Sequence, residues 1–258
     1  MLIELFSVIY KSSVTEGSYL DYETTKIIKC VTDDELNAIN KMKITSPKSQ
    51  LYMRKEALQY NNAYKHAHTI INDTVLFPSD IWFIQLHHIL MTGLLHNMQS
   101  QSYEPVEVGK YRNNEVYTSI RHMPPKYVYD SMIKLIRELN DMYNEFKMNS
   151  NLSIRINIAC NICATFMIRY LLIHPFDDGN GRISRIVSDY ILQKCLNIDY
   201  YLDLTKNKKM RERFYKIVKY SNTHPIDSTI QVMKDHIIYT LHKQSNRINN
   251  MFAQMCDI

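Results

Sequence analysis

Apolar positions along this chain recur mostly three and four residues apart, the spacing that gives a helix one buried face. Leu58, Ala63, Ala67, Ile70 and Ile71 predict a helix over 51–74. Phe77-Pro78-Ser79-Asp80 closes it and caps a second helix running from 81 to about 96. Met132, Leu135, Ile136, Leu139 and Met142 line one side of 126–147. Residues 152–173 are apolar on nearly every side, which predicts a central helix with neighbours all round. Ile183, Ile186, Val187, Tyr190, Ile191 and Leu192 predict a helix to about 196. Two more follow over 200–220 and 228–254. Nearer the start, Thr32 with Glu35 reads as a capping box within a helical stretch at 21–40. Period two appears over 116–122, where Val116, Thr118 and Ile120 alternate with Tyr117, Ser119 and Arg121 ahead of Pro124-Pro125. The pattern predicts an all-α fold: one domain of about ten helices with a small β-hairpin.

Composition changes this picture little. The 258 residues are 45% apolar and 22% charged, enough for a substantial core. The net charge of +5 is spread along the chain, with no dense basic stripe to favour nucleic acid. The basic run around Met210, Phe214 and Tyr215 reads as a solvated helix face. Five cysteines without regular spacing argue for a reducing compartment, and Cys160-x-x-Cys163 falls inside an apolar helix as two small hydrophobes. The apolar stretch 156–173 contains Asn157, Asn161 and Arg169, costly at a bilayer centre, so it reads as a core helix. With no evident signal peptide, the expectation is a cytoplasmic protein without a membrane partner.

The chemistry concentrates in His174–Arg185, HPFDDGNGRISR. Two of the five glycines, Gly179 and Gly181, flank Asn180 there. A tight turn feeding a helix N-terminus aims backbone N–H groups at one spot and suits an anion. Arg182 and Arg185 add two guanidinium forks for phosphate oxygens. Asp178 brings a hard oxygen ligand that a Mg²⁺ on a phosphate chain can use. His174 can take a proton near neutral pH. The bland alternative is a surface loop with a satisfied histidine and solvated arginines. Base, metal ligand, phosphate cradle and two arginines within twelve residues favour a nucleotide-handling site instead.

This stretch resembles the signature of the Fic family, HxFx(D/E)GNGRxxR, and fills every fixed position of it. The resemblance implies a helical Fic domain, with a core at about 80–220 and a C-terminal helix over 221–258. It implies transfer of AMP from ATP, with Mg²⁺, to a Tyr, Thr or Ser hydroxyl of a target protein or of the chain itself. It makes His174 the base and Asp178 the metal ligand, with Gly179, Asn180, Gly181, Arg182 and Arg185 around the phosphates. Tyr215 would flank the adenine. Ser12-x-x-x-Glu16-Gly17 resembles the family's inhibitory motif, so that Glu16 would pair with Arg185 within an N-terminal region at 1–50. Val116, Tyr117, Thr118, Ser119 and Ile120 resemble the flap, a hairpin over the active site that docks a target by adding a strand. Transfer of another group (UMP or phosphocholine) and removal of AMP stay open, as does a non-catalytic interaction protein. A homo-oligomer is compatible with the sequence, and no nucleic acid is expected.

Overall fold

The computed structural model describes residues 50–97, 103–105, 107–197 and 208–256. The helical stretch expected at 21–40 lies outside them. Among the described residues are seven α-helices: α1 (Gln50–His68), α2 (Asp80–Met91), α3 (Val128–Met148), α4 (Leu152–Ile173), α5 (Asn180–Leu196), α6 (Lys208–Tyr220) and α7 (Ile226–Cys256). A 3₁₀ turn, Pro125–Tyr127, leads into α3.

The helix that is apolar all round sits where its pattern puts it. α4 packs against α3, α5 and α7 and buries residues from Ala159 to Ile173 on several faces. Its length and composition would allow it to cross a membrane, but most of its surface is buried by neighbouring helices. Asn151 caps its start, accepting from the Ile154 N–H at 3.2 Å. Phe77, Trp82, Phe83, Phe166 and Tyr190 meet in one aromatic cluster that joins α2, α4 and α5. Asn140 of α3 clamps the α1–α2 connection, accepting from the N–H groups of Leu76 and Phe77 and donating to the Phe77 carbonyl. Cys160, Cys163 and Cys195 are buried free thiols. Burial pushes Cys160 up to about 11 and Cys195 up to about 12, so they pack as protonated hydrophobes.

Three expectations need correction. α1 ends at His68, short of 74, where the His68 ring stacks on Tyr64 (4.2 Å) and meets Tyr190 edge-on. α2 ends at Met91 because Gly93 follows with φ +67°, a left-handed backbone that turns the chain away. Its N-cap Ser79 makes no side-chain capping bond. The third concerns 116–122, which forms no strand. Two of its backbone donors are spent elsewhere, Ile120 N–H on Thr118 Oγ1 and Arg121 N–H on Asn222 Oδ1, and just beyond it Met123 N–H bonds the Leu172 carbonyl. The antiparallel pairing lies upstream instead, between β1 (Leu95–Asn97) and β2 (Tyr103–Pro105), with Leu95 opposite Pro105.

Candidate active site

α4 ends and α5 begins within seven residues, and the turn between them is fastened both by its own side chains and by residues far away in the chain. His174 is the C-cap of α4, in the left-handed region at φ 50°, its N–H returned to the Tyr170 carbonyl at 2.8 Å. Pro175 cannot continue the helix. Asn180, 2% exposed, closes the turn by accepting from the Phe176 N–H (3.1 Å) and donating to the Phe176 carbonyl (2.6 Å). Its amide therefore faces inward; its part in an anion site is its backbone N–H. Gly179 is the N-cap of α5 at φ +82° and has no side chain to cap the helix. The first intrahelical bond is Ile183 N–H to the Gly179 carbonyl, so the preceding N–H groups of Asn180, Gly181 and Arg182 open the helix toward an anion. A Cβ on Gly179 would lie 2.8 Å from Met91 Sδ, which seats the turn against α2.

Phe176 is fully buried, face to face with His87 of α2 at 3.9 Å. The Gly109 N–H donates to His87 Nδ1 (3.3 Å), leaving Nε2–H to donate to the Asp178 carbonyl (3.2 Å). Burial pushes His87 down to about 3, which keeps the ring neutral near physiological pH. Its neighbour His88 is exposed.

His174 presents a second imidazole pair. Its ring lies 4.1 Å from that of His122, whose Nδ1–H donates to the Leu171 carbonyl and whose Nε2 is 2.7 Å from Thr118 Oγ1. Burial, then His122 and Arg112, push His174 down to about 3, with the Leu171 carbonyl opposing. The ring is thus neutral at physiological pH and able to accept a proton. Its Nδ1 is buried and finds no hydrogen-bond partner among the described residues.

Arg112 is the residue sequence reasoning missed most plainly. It is 4% exposed and donates to the carbonyls of His174 (2.6 Å), Ile173 (3.1 Å), Asn114 (2.7 Å) and Met123. Its N–H adds a bond to the Pro175 carbonyl. A guanidinium on the last carbonyls of α4 satisfies orphan acceptors and sits favourably at the negative helix end. Glycine-lysine-tyrosine-arginine in a loop carries no periodic signal, so nothing local in the sequence marks it. The covering segment is held at its other end by Asn222, which donates to the Ser119 carbonyl.

Arg182 is 4% exposed, with Nη1 on Glu56 Oε1 of α1 at 2.8 Å and Nη2 on Asp178 Oδ1 at 3.5 Å. Asp178 Oδ1 also accepts from the Gly179 N–H, and the carboxylate remains about one-third exposed. Arg185 follows one turn later on α5, half-buried. His174, Asp178 and the first residues of α5 therefore stand on one short connection between α4 and α5. Tyr215 stands on α6, 41% exposed, edge-on to Phe214. Of the flap residues, Tyr117, Thr118 and Ser119 are exposed while Val116 and Ile120 are half-buried. Ser12 and Glu16 lie outside the described residues. Among the described residues no group of three or more His, Cys, Asp or Glu side chains could cage a metal. One carboxylate with an oxygen to spare fits a Mg²⁺ that takes its other ligands from phosphates and water.

Residues 79–192 match the Fic/DOC family profile. The chain is 26% identical over 190 residues to a protein adenylyltransferase Fic of Nematostella vectensis, covering 74% of this chain. It is 27% identical over 141 residues to the protein of the same name in Drosophila melanogaster, covering 55% of this chain. It spans only 38% and 26% of those two relatives' lengths. A Fic-domain signaling protein from Bacteroides thetaiotaomicron superposes with a TM-score of 0.63 at 18% identity, over 92% of this chain and 85% of that one. Fic-1 from C. elegans gives 0.63 at 17%, over 95% and 64%. At these identities the structural likeness concerns the fold.

Proposed function

We propose, taking as premise that this chain belongs through residues 79–192 to the Fic/DOC family, that it transfers AMP from ATP to a hydroxyl of a target protein. The observation that supports the reading is that a neutral His174, the Asp178 carboxylate and the uncapped start of α5 stand on one short connection. The relatives' name, protein adenylyltransferase, supports the same chemistry.

His174 Nε2 takes the proton of a Tyr, Thr or Ser hydroxyl. The freed oxygen attacks the α-phosphorus, the bond from that phosphorus to the bridging oxygen breaks, and pyrophosphate leaves. The phosphates' negative charge beside the ring stabilises the imidazolium that forms, offsetting the desolvation that holds it neutral at rest. The N–H groups at the start of α5 receive the phosphates, with Arg185 beyond them. Asp178 is the residue to hold Mg²⁺, which when bound neutralises phosphate charge. Residues 116–120 are the stretch against which a target docks, through their exposed positions rather than through a preformed strand. Glu16 would pair with Arg185 and keep basal transfer low, since a carboxylate and a terminal phosphate compete for one guanidinium.

The test is incubation of the Glu16→Gly variant with Mg²⁺ and ATP labelled on either the α- or the γ-phosphate. Label from the α position alone is expected on protein. Label from the γ position would show phosphoryl transfer instead. Equal incorporation by wild type and Glu16→Gly would remove the inhibitory role.

A further inference from the structure

Glu56 lies outside the stretch that matches the family, more than twenty residues before residue 79, yet its side chain reaches the centre of the site. It is 5% exposed, and its Oε1 takes one arm of Arg182 at 2.8 Å. The other arm of that guanidinium points at Asp178 Oδ1 across a longer 3.5 Å. Arg182 is 4% exposed, so it is held between two carboxylates and not presented to solvent. A buried guanidinium needs a full counter-charge close by. Glu56 supplies it from α1, and Asp178, about one-third exposed, is spared from doing so.

We propose that Glu56 is a positioning residue for the metal site: by neutralising Arg182 it leaves the Asp178 carboxylate available to a divalent cation on the nucleotide's phosphates. Without the Glu56 charge, Arg182 draws closer to Asp178, which its Nη2 already meets at 3.5 Å, and that charge-assisted pair competes with the cation. The helix α1 is in this sense part of the nucleotide site. The proposal rests on the adenylyl-transfer reading above only for the identity of the nucleotide.

The experiment is a thermal-shift titration of the whole chain and of Glu56→Gln with ATP, once with Mg²⁺ and once with chelator. The Mg²⁺ concentration giving half of the ATP-dependent stabilisation is expected to rise about tenfold in Glu56→Gln, as for other residues that support a metal ligand. ATP binding in chelator is expected to stay unchanged. A merely structural role would lower the melting temperature and weaken ATP binding equally in both conditions, which would overturn the proposal. Should Glu56→Gln fail to fold, Glu56→Asp, one methylene shorter, is expected to shift the Mg²⁺ requirement the same way; an unshifted requirement overturns the proposal. Wild type that binds Mg²⁺-ATP with the same Mg²⁺ dependence as the variant defeats this inference alone. Wild type that ignores ATP in both conditions defeats the functional reading with it.

Discussion

Within the turn from His174 to Arg182 most hydrogen bonds span four residues or fewer: Phe176 with Asn180, Asp178 with Gly179, Arg182 with Asp178. The segment at 107–123 lies against that turn and is held in the opposite way. Arg112 reaches 62 positions along the chain to the His174 carbonyl, and the Arg121 N–H reaches 101 positions to Asn222. The turn keeps short-range bonds of its own beside the long ones from Glu56, His87 and Arg112. A segment fastened by distant partners takes its place only once α4 and the α6–α7 connection are packed. The first suits a phosphate site, which needs fixed donors. The second suits a surface that meets varied targets, with Tyr117 78% exposed between two anchors.

This contrast can be broken in four places. Arg112→Met leaves the carbonyls of His174, Ile173, Asn114 and Met123 without their donor. It should cost about 3 kcal/mol in urea denaturation, and a loss below about 1 kcal/mol would mean the segment is not anchored through it. Gly179→Ala forces a side chain onto φ +82° and against Met91. A loss of about 2 kcal/mol is expected; an unchanged urea midpoint would show that the turn relaxes freely.

Acid probes both regions together. His87 and His174 are pushed down from 6.5 to about 3 and His236 to about 4, burial being the first cause in each. Between pH 6.5 and those values the unfolded chain binds protons that the native chain refuses. Stability is therefore full above pH 6.5 and falls as pH drops toward 3. A melting temperature constant from pH 6.5 to 4 would contradict the buried neutral rings. The smallest effect belongs to Tyr117→Ala, expected to change stability by less than about 0.5 kcal/mol. A larger loss would show that the exposed tip is packed after all.

The same contrast explains what could be read in advance. The all-round apolar α4 and the Pro175 break are local features and appear in the structure where the pattern put them. Asn180 and Gly181, expected in the turn, already belong to the first turn of α5. Alternation at Val116–Ile120 was local too, and it misled, because Thr118 and Asn222 compete for the backbone that a strand would need. Glu56, His87 and Arg112 act across 126, 91 and 62 positions of chain. No spacing rule connects residues so far apart. The inward turn of the Asn180 side chain was equally invisible, since an asparagine at a helix start serves a ligand or its own loop with the same letters.

The most direct measurement is the intact mass of the chain after incubation with Mg²⁺-ATP, made on Glu16→Gly and on Glu16→Gly with His174→Ala. The account predicts one or more added AMP units on the first and none on the second. AMP on both variants, or on neither, would contradict the role given to His174.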